Sequence, residues 1–137
     1  MRKKEITDIV TRIEKADKIF FDSLVPSILE DDKKVVYIIF DKDNTEEEAL
    51  YVGRTKKLRR RLYTNHLHGN KTTARLKKYL VEDNNRFPNI KTIEEAKNYL
   101  KENCYFKYLE IKESRDRGQI EGLLSFLFNV YYIEDEH

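Results

Sequence analysis

Several residues have types and settings that could do chemistry: Tyr37 in the run VVYIIF, Tyr51 in ALYV, the arginines of KKLRRRL, and Glu121 within the apolar stretch QIEGLLSFLFNV. A phenol can position or exchange a proton, a guanidinium presents a planar fork suited to phosphate oxygens, and a carboxylate can hold a hard divalent cation. Each also has a plainer reading. Tyrosine is a favoured strand residue and the chain has nine, so periodicity alone favours packing for both. Glu121 is the only acid between Asp116 and Glu134. A carboxylate in such surroundings needs an arginine, an exposed helix edge or a metal ion. His66 and His68 are two apart, so on a helix they point in different directions, and no third ligand lies nearby to make a zinc site with them.

The cations are unevenly distributed. Net charge is only +2, yet no acid lies between Glu48 and Glu82, where Arg54, Lys56, Lys57, Arg59, Arg60, Arg61, Lys71, Arg75, Lys77 and Lys78 supply ten positive charges. The rest of the chain therefore carries a net −8. Two solvated helices would ordinarily interleave Glu with Lys at i,i+4 spacing. Their absence predicts a face for nucleic acid, with the acidic remainder orienting the polyanion.

The elements that must position these residues follow from the apolar spacing. Ile6, Ile9, Val10, Ile13, Phe20 and Phe21 predict a first helix from about Lys3 to Phe21. VVYIIF and ALYV predict an antiparallel hairpin whose loop, DKDNTEEE, is acidic and solvated. Pairing Ile39 with Ala49 would set Tyr37 directly opposite Tyr51, with both phenols on one face. Gly53 then ends the second strand, Thr55 is a candidate cap, and basic helices rest on Leu58 and Leu62 and on Leu76 and Leu80. Thr92 with Glu95 forms a capping box for a peripheral helix. CYFKYLEI is the third strand, and Ser114 a candidate cap for a final helix, apolar over most of its circumference and therefore expected at the centre.

With 137 residues, one domain is expected, of class α+β. The single cysteine, Cys104, excludes an internal disulfide and cysteine-rich zinc sites and reads as a packed strand residue. No apolar run could span a bilayer and the N-terminus lacks a secretory pattern, so no membrane and a cytoplasmic location are expected.

VVYII, a short acidic loop, YVGRTKKLRRRL and a distant Glu121 in an apolar helix resemble, in order and spacing, the GIY-YIG nuclease family. Here Val35, Val36 and Tyr37 stand for the first motif, Tyr51, Val52 and Gly53 for the second, and the arginine eight places after that glycine is Arg61. The resemblance implies a small three-stranded antiparallel sheet flanked by helices over residues 35–137, with residues 1–34 as an N-terminal helical extension. It implies a DNA endonuclease that uses Mg²⁺ or Mn²⁺ held by Glu121, with Arg61 on the scissile phosphate and Tyr37 and Tyr51 at the attacking water. Four departures stand out. Val35 replaces a glycine, and the loop to Tyr51 is slightly longer than usual. Asn65 stands where many members carry a histidine, so that His66 comes one residue late. NVYYIED stands where many carry a proline and an asparagine. The missing asparagine and the displaced histidine motivate an alternative, a nucleic-acid-binding module without turnover. The compact chain is expected to be of restriction, phage or accessory-repair type, with a homo-oligomer possible because one centre cuts one strand at a time.

Overall fold

The computed structural model describes residues 1–70 and 74–133. Along the chain run α1 (Lys3–Lys15), β1 (Ile19–Phe20), two 3₁₀ turns (Phe21–Ser23 and Pro26–Ile28), β2 (Val35–Asp41) and β3 (Tyr51–Thr55). A π-helix (Arg60–Leu67), α2 (Arg75–Glu82), α3 (Ile93–Asn103), β4 (Cys104–Glu110) and α4 (Ser114–Leu127) follow. The fold is α+β, built on one antiparallel sheet in the order β1-β4-β2-β3.

β2 is apolar from Val35 to Phe40 because both of its faces are covered. Val35, Tyr37 and Ile39 face a core built with Phe21, Leu58, Leu62, Leu76, Leu80 and Leu100, which come from the 3₁₀ turn, the helical segment containing the π-helix, α2 and α3. Val36, Ile38 and Phe40 face the opposite core, against Ile9 and Ile13 of α1 and Ile120 and Leu124 of α4. One strand thus anchors two layers by its period of two.

The sheet has four strands where three were expected, and the first helix is shorter than its apolar spacing suggested. α1 stops at Lys15, Ala16 turns to extended backbone, and Ile19 and Phe20 pair with Phe106 and Tyr105 on the edge of β4. An i,i+7 apolar spacing fits a helix, but the unpaired edge of β4 offers those residues ladder hydrogen bonds that a continued helix would forgo. The hairpin register also differs from expectation. Tyr37 opposes Gly53 and Ile39 opposes Tyr51, a shift of two residues. A shift of two preserves the face, so both phenols still project the same way.

α4 is not central. It packs through Ile120, Leu124 and the aliphatic part of buried Arg117, while Phe126 is 83% exposed. Ser114 starts this helix without a side-chain cap. Its end is a Schellman motif: Asn129 adopts φ 43°, its N–H reaches the Phe126 carbonyl and that of Val130 reaches Ser125, both at 3.2 Å. Residues 131–132 then bond to Ala49 and Leu50 and seat Tyr132 against α2, where its hydroxyl donates to Asp83 at 2.7 Å. The Thr92–Glu95 capping box forms as expected. The acidic loop is not wholly solvated, since Glu46 accepts from Tyr105 at 2.6 Å and pairs with buried Lys107 at 3.3 Å. Among the described residues no helix is long and apolar enough to cross a membrane.

Candidate active site

Tyr37 sits at the middle of the central strand and is 1% exposed, with its ring laid across the β3 neighbour where Gly53 lies. A Cβ on Gly53 would come within 2.4 Å of the Tyr37 hydroxyl. This close approach, rather than a turn, is the reason for glycine at position 53. Tyr51, two residues before Gly53 and on the same face, stacks diagonally on Tyr37 at 6.2 Å between ring centres.

The surprise lies in the helical segment after β3. Thr55 accepts a hydrogen bond from the Lys57 N–H at 2.9 Å and turns the chain, and the winding then loosens. From Arg60 to Leu67 the helix is of π type, as in the His68 N–H to Tyr63 carbonyl bond across five residues. On an α-helix, residues five apart point in different directions. Here they are about one turn apart, so Arg61 and His66 share a side of the helix and the late histidine is brought back into phase. His66 is 1% exposed, and its Nε2 lies 2.7 Å from the Tyr37 hydroxyl oxygen. Its ring meets both tyrosines edge-on, at 5.4 and 5.2 Å. The sequence does hold one signal for this winding: the buried Leu58, Leu62 and Leu67 are spaced four and then five apart.

Electrostatics define the rest of the constellation. Burial pushes the Tyr37 phenol well above its ordinary value, Tyr51 and Glu121 push it the same way, and Arg61 and Arg75 pull against them. Burial likewise raises Tyr51, with Arg75 and Arg61 opposing. The half-buried carboxylate of Glu121 on α4 thus reaches the same pair of phenols as two guanidiniums from different elements. Arg75, read in the sequence only as one more surface cation, stands at the start of α2 and bears on the site directly. Burial, then Arg61 and Lys77, lower His66 to about 3, so the imidazole is neutral at physiological pH. His66 Nδ1 has no hydrogen-bond partner among the described residues. A buried lone pair without a partner is tolerated better than a buried N–H. In the tautomer that carries its proton on Nε2, the imidazole donates to the Tyr37 oxygen and only a lone pair is left without a partner at Nδ1.

Beside these groups a groove of about 440 Å³ is lined by Thr55, Lys56, Lys57, Arg60, Arg61 and Asn65. The basic residues singled out in the sequence do not all share it. Arg54 lies over α4, its guanidinium filling the space that Gly118 leaves open. Lys57 pairs with Asp32, and the Arg59 guanidinium donates to the carbonyls of Pro26 and Leu29, both at 2.9 Å. Lys78 and Arg60 are exposed. Lys77, expected on the nucleic-acid face, is instead 1% exposed and spends its ammonium on backbone carbonyls, because it falls on the inner stripe of α2 with Leu76 and Leu80. Lys71 lies outside the described residues. His68 is exposed and packs on Tyr63, away from His66.

No curated protein and no solved structure matches the chain. A family model described as the GIY-YIG catalytic domain matches residues 33–121, from the start of the hairpin to the glutamate of α4. That span covers more than half of the chain and includes both tyrosines, the π-wound segment and Glu121, and with it the chain belongs to the GIY-YIG nuclease family.

Proposed function

We propose that this nuclease is a metal-dependent DNA endonuclease in which Tyr37 takes the proton of the attacking water. The observation that carries this reading is the 2.7 Å contact between the Tyr37 hydroxyl and His66 Nε2, made in a buried pocket that also feels Arg61, Arg75 and Glu121. His66 is not the final acceptor of the phenol proton. With the phenol well above its ordinary value and the imidazole at about 3, that transfer would be steeply uphill. As a donor to the Tyr37 oxygen, His66 instead stabilises the phenolate, and nearby guanidiniums favour the same charged form.

The donor set suits a hard cation. Glu121 supplies one carboxylate, and among the described residues no cluster of three or more His, Cys, Asp or Glu could form a protein-only cage. Glu121 would hold Mg²⁺ or Mn²⁺ through its carboxylate, the hard oxygen donor such ions take. Held there, it would supply charge neutralisation at the leaving oxygen. Arg61, at the wall of the cationic groove, grips the scissile phosphate through its planar fork. Tyr51 holds the water or phosphate beside Tyr37. Tyr37 first loses its own proton to solvent; water then attacks phosphorus, its proton passes to the Tyr37 phenolate, and the bond to the 3′ oxygen breaks as that oxygen takes up a proton from solvent. DNA is the substrate favoured by the groove cations Lys56, Arg60 and Arg61. A restriction, phage or accessory-repair role fits this chemistry, and cutting both strands needs two copies of the chain or two successive nicks.

A binding module without turnover is the rival reading. The π winding removes one of its motives, the out-of-phase histidine. A supercoiled plasmid assay decides between the two: nicked or linear product in Mg²⁺ and none in EDTA supports the nuclease, and retention of the plasmid without cutting in any divalent cation supports the binder.

A further inference from the structure

Lys77 is a cation of the basic segment that the proposed chemistry leaves unused, and its placement is unusual. It occupies the third position of α2, in a first turn where the helix dipole disfavours positive charge. It is also 1% exposed, where a long cationic side chain is rarely found unless its protons are fully used. Burial, followed by Lys97, lowers it to about 8. What holds it there belongs to another element: the ammonium donates to the Leu67 carbonyl at 2.5 Å and to the Gly69 carbonyl at 2.9 Å. Those carbonyls close the π-helix, whose C-terminal end attracts a cation. Leu67 follows His66 directly, so the ammonium fixes the backbone on which the imidazole rides.

We infer that Lys77 is a positioning residue for cleavage, which pins the end of the π-helix so that His66 stays against Tyr37. An α-helical rewinding of the segment would keep Arg61 near the groove but swing His66 by roughly a third of a turn away from the phenol. Lys77 is a contact from outside the helix that opposes this rewinding. The inference rests on the proposed role of Tyr37 and His66, but its structural half can be measured apart from it.

The test is Lys77→Met beside Lys77→Arg, read by single-turnover cleavage, DNA affinity against salt, and NMR contacts between the His66 and Tyr37 rings. Lys77→Met should lower the rate at saturating DNA by about 10²-fold, the scale expected of a small misplacement near the chemistry. Affinity and salt slope should stay the same, ring contacts should be lost, and Lys77→Arg should restore part of each. In a His66→Ala background Lys77→Met should cost nothing further, because the two act through one contact. A salt slope reduced by about 0.9 in either variant would overturn the inference, since Lys77 would then be a phosphate contact. Unchanged ring contacts and rate in Lys77→Met would overturn it equally. Should Lys77→Met not fold, Lys77→Gln, whose shorter neutral side chain cannot bridge both carbonyls, should show the same losses of rate and ring contacts in smaller measure. If the wild-type chain cuts no DNA, the proposed function fails by itself, and the ring contacts still decide whether Lys77 holds His66 in place.

Discussion

The two faces of the sheet are built from the same strand, yet they treat buried polar groups differently. On the side of α1 and α4, Lys107 donates to the carbonyls of Ile13 and Glu14 and pairs with Glu46, and Arg117 donates to the carbonyls of Ile111 and Lys112. Each of these cations ties chain segments together, Lys107 through three acceptors and Arg117 through two carbonyls. On the side of the π-helix, Lys77 is held in the same way, but Tyr37 and His66 are just as buried, one nitrogen of His66 has no partner among the described residues, and both groups have strongly displaced proton affinities. Satisfied burial serves architecture. Burial left partly unsatisfied, with charges of both signs around it, marks a place kept out of balance for a task.

The sharpest way to break this contrast is a pair of substitutions on opposite faces of the central strand. Tyr37→Phe keeps the ring in place and should cost about 10²–10⁴ in cleavage rate at saturating DNA, while the loss of the partner of buried His66 Nε2 should lower unfolding free energy by about 1–3 kcal/mol without preventing folding. Phe40→Leu, on the other face, should leave the rate of the folded protein as it is. A Tyr37→Phe enzyme of full activity would make Tyr37 a packing residue like its neighbours and erase the difference between the faces.

Next in size is stability. Ile38 is fully buried against α1 and α4, and Ile38→Ala should lower unfolding free energy by about 2–5 kcal/mol in denaturant titrations. Cleavage per folded molecule should not change. If the rate falls along with stability, the second face communicates with the site and is not merely its support.

The faces should also differ in their response to acid. His66, lowered to about 3 in the folded chain, binds its proton near 6.5 once unfolded. The unfolded state therefore takes up the extra proton, and stability present above pH 6.5 is lost as pH falls toward 3. His66→Gln should flatten that part of the melting-temperature profile. In the cleavage assay, the rate should climb about tenfold per pH unit through neutrality, as a phenol base requires, without an inflection near 6.5. Such an inflection would assign the proton transfer to an imidazole with an ordinary proton affinity.

The smallest expected effect is at the groove. Arg60→Ala should reduce the log–log salt slope of duplex binding by about 0.9, and Lys107→Ala by nothing. Equal slopes for both would mean that the exposed cations beside the site only solvate it.

Much of the candidate site is legible in the amino-acid sequence because the signals that single out Tyr37, Tyr51, Arg61 and Glu121 survive errors of detail. A hairpin register displaced by two keeps its faces, and the order of these residues along the chain does not depend on helix phase. His66 is harder to place because residue types do not announce π winding. Only the step from four to five in the leucine spacing hints at it. Lys77 and Arg75 look alike in a row of cations. The apolar stripe of Leu76 and Leu80 places Lys77 on the inner side, whereas the approach of Arg75 to the phenols depends on how α2 docks. The apolar periphery of α4 misleads because an exposed Phe126 has no counterpart in a simple inside-outside rule. β1 escapes a reading by periodicity because a two-residue strand is made by the edge it joins.

Gly53 and Tyr37 lie on different strands, yet the ring of one occupies the space the other leaves empty. In inheritance the two positions are therefore not separate characters. Any side chain arriving at 53 must expel the ring, and any drift at 37 to a smaller residue frees 53 to vary, so a lineage that abandons the phenol should lose the glycine soon after, while one that keeps it has no tolerated alternative at 53.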